Sequence, residues 1–286
     1  MSQLINRTVG SPNARDLRRR NSESSSASNS VCLNPLDPDS SDLTLVIPVF
    51  AEGHVIAETC DRLDRALASH SAEVIFVDDG STDGSRELLQ AYVSDRPHVK
   101  LLSFRRNFGQ ACALLAGIEA TRTPIVVTLD ADPTHDIAVA FDLADRLKRA
   151  AGSVQIVAGY RVGRRDPRWR LAGSRCLNGV VRALGASPFA DLGFLLKAWQ
   201  RSVALEVFRA SRGRIELGRL LHAVQGVAVE NVPVWCETQP GRSSYGAPEL
   251  FHAAIDTISA GVRIRLDRMA PLPPLERTTY ELEPGS

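Results

Sequence analysis

From residue 43 onward the chain alternates between two kinds of segment, and this alternation constrains its fold more than any other feature. LTLVIPVF (43–50), EVIFVDDG (73–80), VKLLSF (99–104), PIVVTLD (124–130) and VQIVAGYR (154–161) are short runs of mostly β-branched and apolar residues. Between them, residues 53–69, 83–94, 108–120 and 137–150 have helical spacing. Strands that are apolar on both faces must be covered on both, and strands separated by helix-length segments read as βαβ units. The expected fold class is therefore α/β, a mostly parallel sheet with helices on both faces. Beyond residue 161 the pattern loosens. GFLLKAW (193–199) reads as a short strand running into a helix, 214–225 as a helix and VAVENVPVW (227–235) as a strand, with loops over 162–190.

The flanks are different in kind. Residues 1–42 are basic and Ser-rich, with NSESSSASNS at their centre, and read as a disordered tail. Residues 248–268 form an amphipathic helical segment, with Leu250, Phe251, Ile255, Ile258, Val262 and Leu266 on or near one face and Arg263, Arg265 and Arg268 towards its end. Such a segment either packs on the core or lies on an anionic membrane surface. Residues 269–286 are a second, proline-rich disordered tail. A net charge of +1 gives no global field for nucleic acid, so none is expected as a partner. The five cysteines show no CxxC spacing, which suits a reducing compartment. No apolar run reaches the ~18 residues that span a bilayer, and the N-terminus lacks a secretory apolar stretch. The expectation is a cytoplasmic protein, peripheral at most on the inner face of a membrane.

In parallel α/β sheets, ligands bind beyond the carboxyl ends of the strands. Asp78, Asp79, Asp130, Asp132 and Arg161 all fall at such ends. Asp130 and Asp132, one residue apart in LDADPTHD, can both reach one hard cation; without a cation they repel. In VDDGSTDGS (77–85), Gly80 permits a tight turn, Ser81 or Thr82 is placed to cap the next helix, and a carboxylate of Asp78 or Asp79 can accept the ring N–H of a uracil or guanine. In IPVFAEG (47–53), Pro48 stops the strand ladder and Glu52 starts the following helix.

LTLVIPVFAEG, EVIFVDDGSTDGS, RRNFGQACALLAGIEA and VVTLDADPTHD, in this order and spacing, resemble glycosyltransferase family 2, and within it the polyprenyl-phosphate glycosyltransferases. The likeness continues through GYRVGRRD, DLGFLLKAWQRSV and VPVWCETQPGRSSYG. The resemblance implies a Rossmann-like GT-A catalytic domain over 43–247 and inverting transfer of a sugar from a UDP- or GDP-sugar to a polyprenyl phosphate. It implies Mg²⁺ or Mn²⁺ held by Asp130 and Asp132, with Asp132 in the catalytic set. Pro48, Glu52, Asp78 and Asp79 would surround the base and ribose, and Arg161 the diphosphate. Arg165, Arg242 and Ser244 would bind phosphate or acceptor, and Asp191 would lie by the acceptor, as a base if that acceptor is a hydroxyl. A soluble or polysaccharide hydroxyl acceptor, and nucleotide-sugar binding without turnover, are the alternative readings. The sequence departs from the family pattern at Ala51 (usually Asn), Thr134 (usually Gln), His135 and Asp136 (DADLQDP is usual), and Ser244 (usually Lys).

Overall fold

The structure is a computed structural model that describes residues 41–132, 134–163, 168–184, 187–210, 221, 223–236, 255, 257–259 and 262. The elements in chain order are β1 (Leu43–Val49), α1 (Ile56–Leu67), β2 (Glu73–Asp78), α2 (Ser85–Val93), β3 (Val99–Ser103), α3 (Gln110–Ala120) and β4 (Ile125–Thr128). There follow α4 (Ala138–Arg149), β5 (Ile156–Val162), α5 (Arg168–Ala183), β6 (Lys197–Gln200), α6 (Arg201–Ala210) and β7 (Val229–Trp235). Among the described residues, the strands form one sheet in the order β3-β2-β1-β4-β6-β5-β7.

Strand alternation sorts the side chains into two layers. Leu43, Leu45, Ile47 and Val49 of β1 pack with Ile56, Cys60 and Leu63 of α1, Leu89 of α2 and Phe141, Ala144 and Leu147 of α4. Val46 of β1, Ile75 and Val77 of β2 and Val126 of β4 pack on the other face with α3, Val181 of α5 and Val203, Val207 and Phe208 of α6. Helices thus cover both faces, as the doubly apolar strands demand. Helix α3 is buried without a break from Ala111 to Ile118. It reaches β1 through Gly117, where an added Cβ would stand 2.4 Å from Val46 Cγ1, so the close approach needs glycine.

Two features were not in the sequence reading. Strand β6 runs antiparallel to both β4 and β5, whereas the β1–β2, β1–β4, β2–β3 and β5–β7 pairs are parallel. Helix α5 occupies part of the stretch expected to be loops. Its sequence, RWRLAGSRCLNGVVRA, carries four arginines and two glycines, and among its described side chains only Leu177 and Val181 join the core cluster, which leaves little apolar periodicity to read. Pro48 also behaves differently from expectation. β1 continues past it to Val49 and pairs with β2 as far as Val49 against Asp78. Val46 faces β4, accepting from Leu129 N–H, so Pro48 faces the same way, beyond the last β1–β4 pair, where its missing N–H is not needed. The helix expected over 214–225, most of the 248–268 segment and both tails lie outside the described residues, although 255, 257–259 and 262 are helical. No described helix is long and apolar enough to cross a membrane.

Candidate active site

The carboxyl ends of β1, β2, β4 and β5 and the turn leading into the reversed β6 meet at one edge of the sheet. The β1–α1 loop is built on the β2–α2 motif. Ala51 N donates to Ser81 Oγ (3.1 Å), Glu52 N to Ser85 Oγ (3.0 Å) and Gly53 N to Asp83 Oδ2 (2.9 Å). Ser81 therefore serves the neighbouring loop rather than capping α2, whose N-cap position is Gly84, without a side-chain cap. Gly80, at φ +76°, lets the turn pass so close to Arg106 that a Cβ would stand 2.4 Å from its carbonyl carbon. Ala51 adopts the left-handed conformation at φ +54°. Asparagine tolerates that region and alanine is strained in it, so the geometry suits the asparagine usual at this position, and nothing in the structure explains the alanine.

Both acids of the Asp-Asp pair bind protein groups. Asp78 is fully buried, accepting from Ser81 N (3.0 Å) and pairing with Arg86 Nε (2.7 Å); Arg86 Nη2 in turn donates to Phe104 O (2.6 Å). Asp79 accepts from Phe108 N (2.7 Å) and Gly109 N (2.8 Å), which fixes the RRNFG loop. Burial holds the Asp79 carboxyl above its ordinary range against the pull of those two N–H groups. Asp78 thus shapes the loop from within. Asp79 retains acceptor capacity, because each carboxylate oxygen has a second lone pair.

Asp130 and Asp132 both act electrostatically on Glu52, and Asp132 on Asp130. Burial raises Glu52, and Asp132 and Asp130 add to the rise. Burial pushes Asp130 up to about 6; Arg161, Lys197 and a hydrogen bond from Gln110 oppose the rise, and Asp132 adds to it. No three described His, Cys, Asp or Glu side chains cage an ion by themselves. The set nevertheless fits a hard divalent cation: oxygen donors only, mutually repelling, with coordination positions left for a ligand's own oxygens and water.

Behind them, Arg161 of β5 grips Asp191 through two side-chain bonds, Nε to Oδ2 (2.7 Å) and Nη2 to Oδ1 (3.0 Å), and a backbone bond to Oδ2 (3.4 Å). Asp191 is 6% exposed. Burial pushes its carboxyl up, but Arg161 and Lys197 more than offset this and hold it below the ordinary range. The turn carrying it is laced to its surroundings. Asn231 of β7 accepts from Ala190 N (2.8 Å) and donates to Pro188 O (2.9 Å), and Asn178 of α5 accepts from Leu192 N (3.2 Å).

Sequence reasoning missed Gln110 and Lys197. The signal for Lys197 was a cation in an otherwise apolar run, LLKAW. His135 is 3% exposed, with no hydrogen-bond partner at either ring nitrogen among the described residues, its ring edge-on to Phe194 at 5.4 Å. Burial, then Arg62, bring its pKa down to about 4. Asp136 accepts from Ala138 N (3.0 Å) at the start of α4. Arg165, Arg242 and Ser244 lie outside the described residues.

A family model described as Glycosyl transferase family 2 matches residues 44–208. The undecaprenyl-phosphate 4-deoxy-4-formamido-L-arabinose transferase of Pseudomonas paraeruginosa is 34% identical over 226 residues, which are 76% of this chain and 64% of that protein. The Yersinia pestis protein of the same name is 28% identical over 76% of this chain and 66% of its own length. The chain thus spans just under two thirds of the first of these relatives. Among solved structures, glucosyl-3-phosphoglycerate synthase from Mycobacterium tuberculosis superposes with a TM-score of 0.57 at 19% identity, over 78% of this chain and 79% of that one. The same enzyme in complex with Mn²⁺, uridine-diphosphate-glucose and glycerol 3-phosphate gives 0.56 at 18% identity, over 78% and 79%. At that identity the likeness shows a shared fold.

Proposed function

The chain belongs to glycosyl transferase family 2, and on that premise we propose that it moves a sugar, with inversion, from a nucleoside diphosphate-sugar to a polyprenyl phosphate. The observation that carries this reading is the grouping of Glu52, Asp130 and Asp132 at the sheet edge, with the cations Arg161 and Lys197 behind them. Acids that repel one another call for a divalent ion, and a divalent ion there suits a diphosphate. The relatives named for undecaprenyl phosphate support the acceptor class.

Asp130 and Asp132 would hold Mg²⁺ or Mn²⁺, which when bound neutralises charge on the leaving diphosphate. Asp79, Pro48 and Glu52 line the end of β1 and β2 and are assigned to the base and ribose. Arg161, Arg165, Arg242 and Ser244 are assigned to phosphate or acceptor groups. An acceptor phosphate oxygen forms the new bond to the anomeric carbon, and the old bond's electron pair leaves with the diphosphate. A phosphate monoester is mostly dianionic at neutral pH, its second pKa being about 6, so no proton need be removed. That agrees with Asp191, whose oxygens are taken by Arg161 and whose lowered pKa makes it a weak base. Asp191 is assigned to holding Arg161 in place.

The same reading puts the protein at a membrane surface, and no described helix is long and apolar enough to cross it. Ile255, Ile258 and Val262, three and four residues apart, are exposed on the C-terminal helical segment, as is Trp235 at the end of β7. Such apolar exposure suits the boundary between headgroups and acyl chains.

The test is nucleotide release by purified protein with Mn²⁺ and a panel of UDP- and GDP-sugars, with and without a short-chain polyprenyl phosphate. Release that depends on the lipid is expected. Release only with a hydroxyl acceptor overturns the acceptor, and binding without release in any mixture overturns the transferase.

A further inference from the structure

Lys197 opens β6 and is 3% exposed. Its backbone lies opposite Thr128 of β4 on one side and Ala158 of β5 on the other, so the strands leading to Asp130 and Arg161 flank it. Its ammonium donates to the Phe194 carbonyl and stands 5.1 Å from the centre of the Phe189 ring. On the same face of β6 lies Trp199, which with Phe189 belongs to the buried apolar cluster of that layer. A charge sealed in such a place is costly unless opposite charges compensate it, and a well-packed apolar side chain of similar length would serve the fold at least as well. The compensation comes from the active edge. The ammonium acts on both Asp130 and Asp191, and they act on it. The side chain therefore ties the turn over residues 191–197 to the carboxylates at the mouth of β4.

Building on the transferase reading, we propose that Lys197 is a positioning residue for the transfer, holding the carboxylates of Asp130 and Asp191 and the 191–197 turn in the arrangement that receives donor and acceptor together. Without it, Arg161 alone faces both carboxylates. The guanidinium is then drawn between them, its two-point grip on Asp191 loosens, and the Phe194 carbonyl loses its donor. The base and ribose contacts assigned to the β1 and β2 end of the edge are untouched, and Asp130 and Asp132 themselves remain to hold the metal, so the loss falls more on turnover than on donor affinity.

The experiment uses the full chain with Lys197→Met and Lys197→Arg. Nucleotide release gives kcat and KM, thermal unfolding gives stability, and amide hydrogen exchange gives the local order of residues 191–196. Lys197→Met should melt within about 2 °C of the parent or above it, while kcat falls about 50-fold or more and donor KM moves less than about threefold. Exchange should quicken about tenfold or more over 191–196 and stay unchanged elsewhere. Lys197→Arg should recover kcat to within about fivefold, because a guanidinium also carries the charge. Turnover of Lys197→Met within about threefold of the parent overturns the proposal, as does equal loss in Lys197→Arg, or unchanged exchange over the turn. Should Lys197→Met not fold, Lys197→Gln takes its place under the same criteria. If the parent releases no nucleotide with any donor, the transferase reading fails by itself, and the exchange comparison still decides whether Lys197 fixes the turn.

Discussion

Replacing Asp130 with asparagine separates what this carboxylate costs from what it does. Burial lifts its pKa from 3.8 to about 6, a rise that Arg161, Lys197 and Gln110 oppose and Asp132 reinforces. A displacement of that size corresponds to about 3 kcal/mol against the ionised form in the folded, metal-free protein at neutral pH. The residue is only partly shielded from solvent, so about 1–2 kcal/mol is the gain to expect from the neutral isostere. For a domain of this size that raises the melting temperature by roughly 2–8 °C. The sign follows from proton counting. A raised carboxylate pKa means that the native state binds more protons than the unfolded one between pH 3.8 and about 6, so parental stability falls as pH rises through that window. The advantage of Asp130→Asn should be absent near the bottom of the window, open across it and stay constant above it. Calorimetry in the presence of a chelator measures this. Adding manganese and a UDP-sugar should then stabilise the parent and leave the variant unmoved. A variant that melts below the parent at neutral pH, or an advantage that does not change with pH, refutes the electrostatic account of the site.

Three further outcomes are expected. Asp132→Ala should abolish manganese-dependent heat of donor binding in titration calorimetry while leaving the circular dichroism spectrum unchanged. Ala51→Gly should raise stability by about 0.5–1 kcal/mol in urea unfolding, since it relieves a left-handed alanine at φ +54°; an unchanged or lower midpoint would mean that the strain is absorbed elsewhere. His135 has a folded pKa of about 4, below its ordinary 6.5, so it binds fewer protons in the native state and stability is lost as pH falls from 6.5 towards 4. His135→Leu should remove about 2–3 kcal/mol of that acid sensitivity, read as a flatter dependence of the unfolding midpoint on pH.

The parallel part of the sheet was legible because a strand buried on both faces leaves an unmistakable apolar run, as in β1, β2 and β4. The acids at the strand ends were legible for the same reason, charge following directly on apolar sequence. Three things were not. The direction of β6 leaves no mark in KAWQ, because side-chain alternation is the same for parallel and antiparallel neighbours. The service of Ser81, Asp83 and Ser85 to the β1–α1 loop depends on contacts across about 30 residues, which no local pattern encodes. The tie between Asp191 and Arg161 likewise joins residues 30 apart, and no local pattern encodes it.

The place of β6 has a consequence for how the protein is made. Strands β1 to β4 can zip together as they leave the ribosome, each beside one already present. Strand β5 cannot, because both of its neighbours, β6 and β7, are synthesised after it. Until β6 slides between β4 and β5, bridging residues as distant as Thr128 and Lys197, the nascent chain carries two raw sheet margins open to pairing with other chains. The insertion that closes this gap also brings in the turn bearing Asp191 and Lys197. Nascent chains halted before residue 197 should therefore be the species that most needs a chaperone's shelter.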